Sequence, residues 1–115
     1  MRFQVSTFFK VLGVGTILLI SSLALHAGMV AHGDELFKQK CSACHAPDGK
    51  GYPALKTPDF TDPKVQASLT DEEIVQTIKN GKKGTAMPAF ADKLSDEQIN
   101  SLVTYIRSLD SSKKK

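Results

Sequence analysis

The chain has 115 residues, enough for one domain, and its charges are nearly balanced. Removing Arg2, Lys10 and the three terminal lysines from the fifteen basic residues leaves ten, against twelve acidic residues. A nucleic-acid-binding domain shows a strongly basic face, so these counts predict no nucleic-acid partner. Residues 111–115, which include the three lysines, are predicted to form a solvated basic tail.

The N-terminal segment has the pattern of an export signal. Residues 11–25 form an uninterrupted run without charge behind a short basic head, which predicts a secretory signal peptide over residues 1–27. An uncleaved anchor is the alternative, because a span needs roughly 20 apolar residues and residues 11–31 are long enough to tether the chain. In both cases the positive head stays in the cytoplasm. The domain is therefore predicted to lie in the periplasm or another extracytoplasmic compartment.

Residues 28–110 predict a small all-α domain. Apolar side chains at helical spacing over residues 34–44 indicate the first helix. Residues 46–61 contain two glycines and three prolines, which predicts a loop. Asp62 and Pro63 have the chemistry of an N-cap and a first helical residue, and they predict a short helix that ends at Leu69.

Two later helices begin with capping boxes, a threonine or serine followed three residues later by glutamate or glutamine. These boxes occupy residues 70–73 and 95–98. The first helix is predicted to end at Gly81, and the second carries an apolar stripe as far as Leu109. A second long loop separates them. The architecture is thus three or four short helices and long loops, which need a central group to pack against.

A Cys-x-x-Cys-His sequence at residues 41–45 is the arrangement of covalent haem attachment. Cys41 and Cys44 point the same way from a helical turn, so each can form a thioether with one haem vinyl group, and His45 is held under the iron. A redox dithiol is the alternative, but it belongs with a βαβ pattern that this sequence lacks. A zinc site needs four ligands, and the other histidines, His26 and His32, lie in or beside the leader.

Met87 is the predicted second iron ligand. A haem that carries electrons generally takes two axial ligands, and methionine with histidine is the pair found in cytochromes c. Met1 is the start and Met29 lies at the edge of the leader, so Met87 alone lies in the predicted folded region, in a loop between Gly84 and Pro88. A methionine that only fills a core gap would be expected on a helix instead. Pro88 would stiffen the backbone beside the sulfur.

The predicted domain resembles the class I cytochromes c. Residues 33–37 resemble the N-terminal helix of that family, and Leu102 and Tyr105 resemble the partners that cross it. Residues 86–90 are similar to small photosynthetic cytochromes and to haem-c subunits of bacterial oxidases and dehydrogenases. The resemblance implies that Gly33 permits close helix approach and that one haem c is bound by two thioethers.

The resemblance also implies contacts around the haem. Phe37 is expected to pack on Tyr105. A proline carbonyl is expected to accept the proton of the ligand histidine, and both Pro53 and Pro58 are candidates, with Pro53 preferred. Five apolar residues serve either as pocket wall or as ordinary helix packing: Phe60, Phe90, Leu55, Ile74 and Ile78.

With both axial positions taken by the protein, no site remains for substrate or oxygen. We therefore predict a one-electron carrier that is not an enzyme and that exchanges electrons with redox protein partners such as membrane oxidase, reductase or dehydrogenase complexes. The alternative within haem proteins is a membrane-tethered haem-c subunit of an oxidase or dehydrogenase. The alternative from another class is a thiol–disulfide redox protein.

Overall fold

A computed structural model describes residues 32–114 of the chain. Within this range the chain forms five α-helices and no strand, so the all-α prediction is confirmed. The helices are α1 (Gly33–Lys40), α2 (Ser42–His45), α3 (Pro63–Ser68), α4 (Asp71–Asn80) and α5 (Asp96–Ser108). Single turns of 3-10 helix cover Pro53–Leu55 and Ser111–Lys113.

The N-terminal predictions concern residues that the structure does not describe. The signal peptide at residues 1–27 and the tether at residues 11–31 lie outside residues 32–114. In the described part of the chain, each helix is too short or too polar to cross a membrane.

The predicted helix starts are confirmed in detail. The Asp62 carboxylate accepts a hydrogen bond from the Lys64 N–H at 2.8 Å and caps α3. Complete capping boxes begin α4 at Thr70 and α5 at Ser95, each with the reciprocal pair of hydrogen bonds. These bonds use backbone N–H groups that have no partner inside the helix, so short polar sequences are enough to position both helices.

The first predicted helix is divided at Cys41. The Cys41 N–H still bonds to the Phe37 carbonyl at 2.9 Å and closes α1, and α2 begins at the next residue. The Ser42 hydroxyl donates to the Lys38 carbonyl at 2.5 Å. A side-chain bond of this kind competes with the backbone ladder and bends helices. The prediction of one helix over residues 34–44 was wrong at this point.

Helices α1 and α5 pack closely at Gly33. A Cβ at this residue would collide with the Ser101 carbonyl oxygen and lie 3.1 Å from the Cβ of Tyr105. Phe37 and Leu102 are fully buried in the same interface, and the Phe37 ring lies 5.2 Å from the Tyr105 ring. The predicted close approach and the predicted Phe37–Tyr105 contact are both confirmed.

One apolar cluster forms the core of residues 32–114. Its buried members come from α1, α4, α5 and both long loops: Phe37, Phe60, Ile74, Ile78, Phe90, Leu94, Ile99, Leu102, Val103, Ile106 and Leu109. Both loops therefore contribute buried phenylalanines instead of lying loosely over the surface. The candidate site lies against this core.

Candidate functional site

Cys41 lies between α1 and α2, and Cys44 lies on the same tight turn, within α2. The N–H groups of Cys44 and His45 both bond to the Cys41 carbonyl, at 3.1 and 2.9 Å. Both thiols are free and half-buried. Burial, with the neighbouring Cys44 as a smaller cause, raises the pKa of the Cys41 thiol to about 11. A catalytic dithiol needs a lowered thiol pKa, so this environment disfavours the thiol–disulfide alternative.

The His45 imidazole is half-buried, and burial lowers its pKa. It is therefore neutral at pH 7, which is the form that binds a metal. Its Nδ1 atom is buried and makes no hydrogen bond with any residue that the structure describes.

The predicted proline acceptor for His45 is thus not formed in this structure. Pro53 lies in an exposed turn, and its carbonyl accepts from the Lys56 N–H at 3.1 Å. The Pro58 carbonyl oxygen would lie 2.8 Å from a Cβ at Gly51, whose N–H bonds to the His45 carbonyl. Neither proline accepts from His45 in this structure, so the preference for Pro53 over Pro58 stays a prediction.

Two phenylalanine rings contact the His45 imidazole. The Phe60 ring is stacked on it, with centroids 5.2 Å apart and planes inclined by 20°. The Phe37 ring is tilted by 51° at 6.4 Å. Sequence analysis named Phe60 only as a candidate for the pocket wall. Its stacking on the histidine could not be read from spacing, because the two residues are brought together by the intervening loop.

The loop that carries Met87 is closed by hydrogen bonds at its base. The Lys82 N–H donates to the Met87 carbonyl at 3.2 Å, and the Met87 N–H donates to the Thr85 hydroxyl at 3.2 Å. The Phe90 N–H bonds to the Ile78 carbonyl at 2.9 Å, so the end of the loop is joined to α4. Met87 itself is half-buried and packs against the core.

Gly81 is required where this loop meets α4. Its φ of 71° lies in the region that favours glycine. A Cβ there would lie 2.7 Å from the Met87 carbonyl oxygen and 3.0 Å from the Ala89 nitrogen. The glycine therefore both ends α4, as predicted, and allows the methionine loop to pack onto it.

A polar network that sequence analysis missed lies behind Phe60. The buried Gln66 side chain donates from Nε2 to the Phe60 carbonyl at 2.6 Å and to the Ile106 carbonyl at 2.8 Å. Arg107 donates to Gln66 Oε1 at 2.9 Å and to the Asp71 carboxylate at 2.6 Å. The sequence shows Gln66 only as a polar residue in a short helix, and its partners lie up to 41 residues away.

The structure brings the predicted site residues to one core. Cys41 and Met87 pack against the apolar cluster, and His45 contacts two of its rings. Of the five candidate wall residues, four are buried in the core, and the place of Leu55, which is 52% exposed, in the pocket wall stays a prediction. Among residues 32–114, no three His, Cys, Asp or Glu side chains converge on a metal position, so the zinc alternative finds no ligands there.

The residues present fit a covalently bound haem. Two free thiols on one turn can form thioethers, and the neutral imidazole and the thioether of Met87 are the usual nitrogen and sulfur ligands of cytochrome iron. The surrounding phenylalanines and isoleucines supply the apolar environment that a porphyrin needs. Short helices around a Cys-x-x-Cys-His turn are the features of a haem-c domain.

Comparison with known proteins identifies the family. Residues 28–106 match the family model described as cytochrome c oxidase, cbb3-type, subunit III. A cytochrome c6 of Thermosynechococcus vestitus is 33% identical over 86% of this chain and 88% of its own length. The chain therefore belongs to the c-type cytochromes. It carries one covalently bound haem c.

Two further similarities define how far the resemblance extends. The cbb3-type oxidase subunit FixP of Bradyrhizobium sp. is 36% identical over 72% of this chain, which spans 28% of that protein's length. A solved structure of the KustC0563 c-type cytochrome superposes with a TM-score of 0.63 at 32% identity, covering 68% of this chain and 96% of that chain. The similarity to FixP is thus confined to one part of a longer subunit.

Proposed function

We propose that this protein carries single electrons between redox protein partners outside the cytoplasm and catalyses no reaction of its own. In this proposal Cys41 and Cys44 hold the haem by thioethers, and His45 and Met87 are the axial ligands. The observation that supports it best is that Cys41, His45 and Met87 all contact one apolar core, with Cys44 on the same turn as Cys41 and His45. The haem, once bound, supplies the one-electron chemistry.

The chain's own residues then orient and shield the cofactor. The hydrogen bonds that close the Met87 loop and the Cys41–His45 turn would hold the two ligand side chains in position, and bound water is not needed for this. Because both axial positions are taken, a substrate or oxygen has no free coordination position. The buried phenylalanines exclude water, which limits exchange of the ligands.

Similarity over the whole chain favours the carrier over the tethered subunit. The cytochrome c6 relative matches across 88% of its length, whereas the FixP relative matches across 28%. Residues 1–27 are proposed to be a cleaved secretory signal, and residues 28–110 the haem domain. The FixP similarity keeps one alternative open, a haem-c subunit of an oxidase or dehydrogenase tethered by residues 11–31. In either case the redox partners are membrane complexes such as oxidases, reductases or dehydrogenases.

Carbon monoxide binding tests whether this cytochrome is a carrier. Ferrous holoprotein with both ligands in place should not bind carbon monoxide, whereas Met87→Ala should bind it readily and serves as the positive control. A redox titration of the wild type should follow a one-electron curve. Rapid carbon monoxide binding by the wild type would contradict the proposal, because a coordination position would then be open to a substrate.

Two simpler measurements test the attachment and the tether. Acid-acetone extraction should leave the haem with the wild-type protein, and haem that passes into the solvent would contradict attachment through Cys41 and Cys44. Mass measurement of the N-terminus in soluble and membrane fractions distinguishes a processed carrier from a chain that retains its leader. A retained leader confined to the membrane fraction would support the tethered subunit instead.

A further inference from the structure

We propose that Thr85 is a positioning residue for the methionine ligand: its hydroxyl group closes the loop that presents Met87 and so keeps the sulfur on the iron. The inference deepens the proposed function and rests on the ligation of iron by Met87. Thr85 lies exposed at the surface, two residues before the ligand. Its effect on the ligand passes through the hydrogen bonds that it makes with the backbone of the loop.

The first step is a tight turn at the start of the loop. The Thr85 N–H donates to the Lys82 carbonyl at 3.1 Å, which closes a four-residue β-turn over residues 82–85. Gly84, the third residue of this turn, has a φ of 79°, and no other residue of the turn has a positive φ. This combination is typical of a type II turn, in which glycine adopts the third position without strain.

The second step is that this turn holds both polar groups of the ligand's backbone. The Thr85 hydroxyl accepts from the Met87 N–H at 3.2 Å, and the Lys82 N–H donates to the Met87 carbonyl at 3.2 Å. The same hydroxyl donates to the Lys82 carbonyl at 2.7 Å. A hydroxyl group can donate once and accept at the same time, so one side chain joins the start of the turn to the ligand. Its removal breaks two of these bonds.

The third step is that the two sides of Met87 are held differently. After the ligand, the N–H groups of Phe90 and Ala91 bond to carbonyls in α4, at 2.9 and 3.1 Å, and Pro88 has a fixed φ. Before the ligand, residues 82–86 are exposed and contain no helix or strand. Thr85 supplies side-chain hydrogen bonds on this exposed side. The exposed side is therefore the weaker one, and the Thr85 hydroxyl strengthens it.

Retention of the ligand has a measurable consequence. A thioether is a soft ligand and binds ferric iron more weakly than ferrous iron, so added imidazole can replace Met87 in the ferric form. The apparent affinity for imidazole is proportional to the fraction of molecules in which Met87 has left the iron. Because Thr85 is exposed, water can satisfy the freed backbone groups. The expected increase in this fraction is then that of one net hydrogen bond, about two- to tenfold.

The test is imidazole binding by the ferric holoprotein, followed through the methionine–iron charge-transfer band. Thr85→Val keeps the shape of the side chain but removes the hydroxyl, and it should bind imidazole about two- to tenfold more tightly than the wild type. Thr85→Ser keeps the hydroxyl and should stay near the wild type. Gly84→Ala should act in the same direction as Thr85→Val, because it strains the turn although a Cβ there meets no atom within 4 Å.

Two controls separate retention of the ligand from general stability. Thr104→Val removes an exposed hydroxyl that donates to the Asn100 carbonyl in α5, and it should leave imidazole binding unchanged. In a Met87→Ala background no methionine competes with imidazole, so Thr85→Val should then have no effect on the affinity. Urea unfolding of each variant measures the change in stability separately.

Four outcomes decide the proposal. If Thr85→Val loses stability but binds imidazole as the wild type does, the proposal is overturned. An equal gain of affinity in the Met87→Ala background also overturns it, because the effect would then not pass through the methionine. If Thr85→Val does not fold, Gly84→Ala decides by the same comparison. Failure of the underlying iron ligation would be recognised separately, because the wild type would then lack the charge-transfer band and Met87→Ala would not bind imidazole more tightly.

Discussion

Burial acts in opposite directions on two neighbouring residues of the haem-binding turn. It raises the pKa of the Cys41 thiol and lowers the pKa of the His45 imidazole. Both shifts favour the uncharged form, because a charge is costly away from water. That combination suits a ligand and an attachment point better than a thiol nucleophile.

Replacement of Met87 by histidine should lower the reduction potential. Thioether ligation keeps the potential higher than a second imidazole does, and axial ligands control a span of about 0.8 V. We expect Met87→His to shift the potential downward by a sizeable part of that span in a redox titration. Ala89→Ser, an exposed change in the same loop, should leave the potential near that of the wild type. An unchanged potential and ferric spectrum in Met87→His would remove Met87 from the iron.

Gly33→Ala should destabilise the protein, although alanine is the better helix former by about 1 kcal/mol. The added methyl would meet the Ser101 carbonyl, and backbone cannot move aside as a flexible side chain can. Overpacking of this kind costs about 1–3 kcal/mol, so the net effect is a loss of up to about 2 kcal/mol.

Urea unfolding of the holoprotein measures this loss. Gln39→Ala on the exposed side of α1 is the control and should change the stability little. Wild-type stability in Gly33→Ala would show that the two helices can separate slightly without cost.

At the scale of the helices, local chemistry explains most of what the sequence predicted. Asp62, Thr70 and Ser95 begin their helices through hydrogen bonds to residues two or three positions away. Such contacts are complete within one turn, so a sequence pattern contains them. The glycine at position 81 was equally predictable, because its role as a helix end depends on backbone conformation.

Sequence patterns do not contain the contacts that distant residues make with each other. Gln66 reads as a surface residue, and only the return of α5 beside α3 gives it its buried partners. The stack of Phe60 on His45 likewise depends on a loop whose path no spacing rule specifies.

The capping box of α4 should make stability depend on pH. Hydrogen bonds from the Thr70 N–H and hydroxyl lower the pKa of the Glu73 carboxyl. A carboxyl whose folded pKa is lowered stabilises the protein above its ordinary pKa, about 4.3, and loses this effect as the pH falls through the folded value. Wild type should therefore exceed Glu73→Gln in unfolding free energy at pH 7, and the difference should shrink under acid.

Urea titrations at a series of pH values from 7 downward give this difference directly. Glu72→Gln removes one negative charge from the same helical turn but lies outside the capping box, and it corrects for the change in net charge. A difference between wild type and Glu73→Gln that stays constant down to the most acidic pH would contradict the assigned role of the glutamate.

At the scale of the whole molecule, the core of residues 32–114 is small relative to the two long loops that pack on it. Each loop contributes a buried phenylalanine, Phe60 or Phe90, yet neither loop contains regular structure longer than one turn. Small domains bury too little surface to be comfortably stable without a cofactor. Cys41→Ala/Cys44→Ala, which cannot attach haem, is therefore expected to lose most of its helical circular dichroism.

The matched control for this experiment is a variant that keeps the haem. Met87→Ala removes a proposed ligand but leaves both attachment points, so it should retain most of its helical signal. A cooperative thermal transition in the haem-free double variant, with native helix content, would show that the polypeptide folds without its cofactor.

The packing of α1 against α5 also has a consequence for the order in which the parts of the domain emerge during synthesis. These helices stand at opposite ends of the described domain, and they share its most extensive interhelical contact. A polypeptide is made from its N-terminus, so α1 and the adjoining Cys41–His45 turn emerge well before their packing partner. Until α5 has emerged, Cys41 and Cys44 belong to a chain in which the contact between α1 and α5 has not yet formed. Haem can thus be attached to a polypeptide that has not yet folded around it, and the packing of α5 then completes the domain.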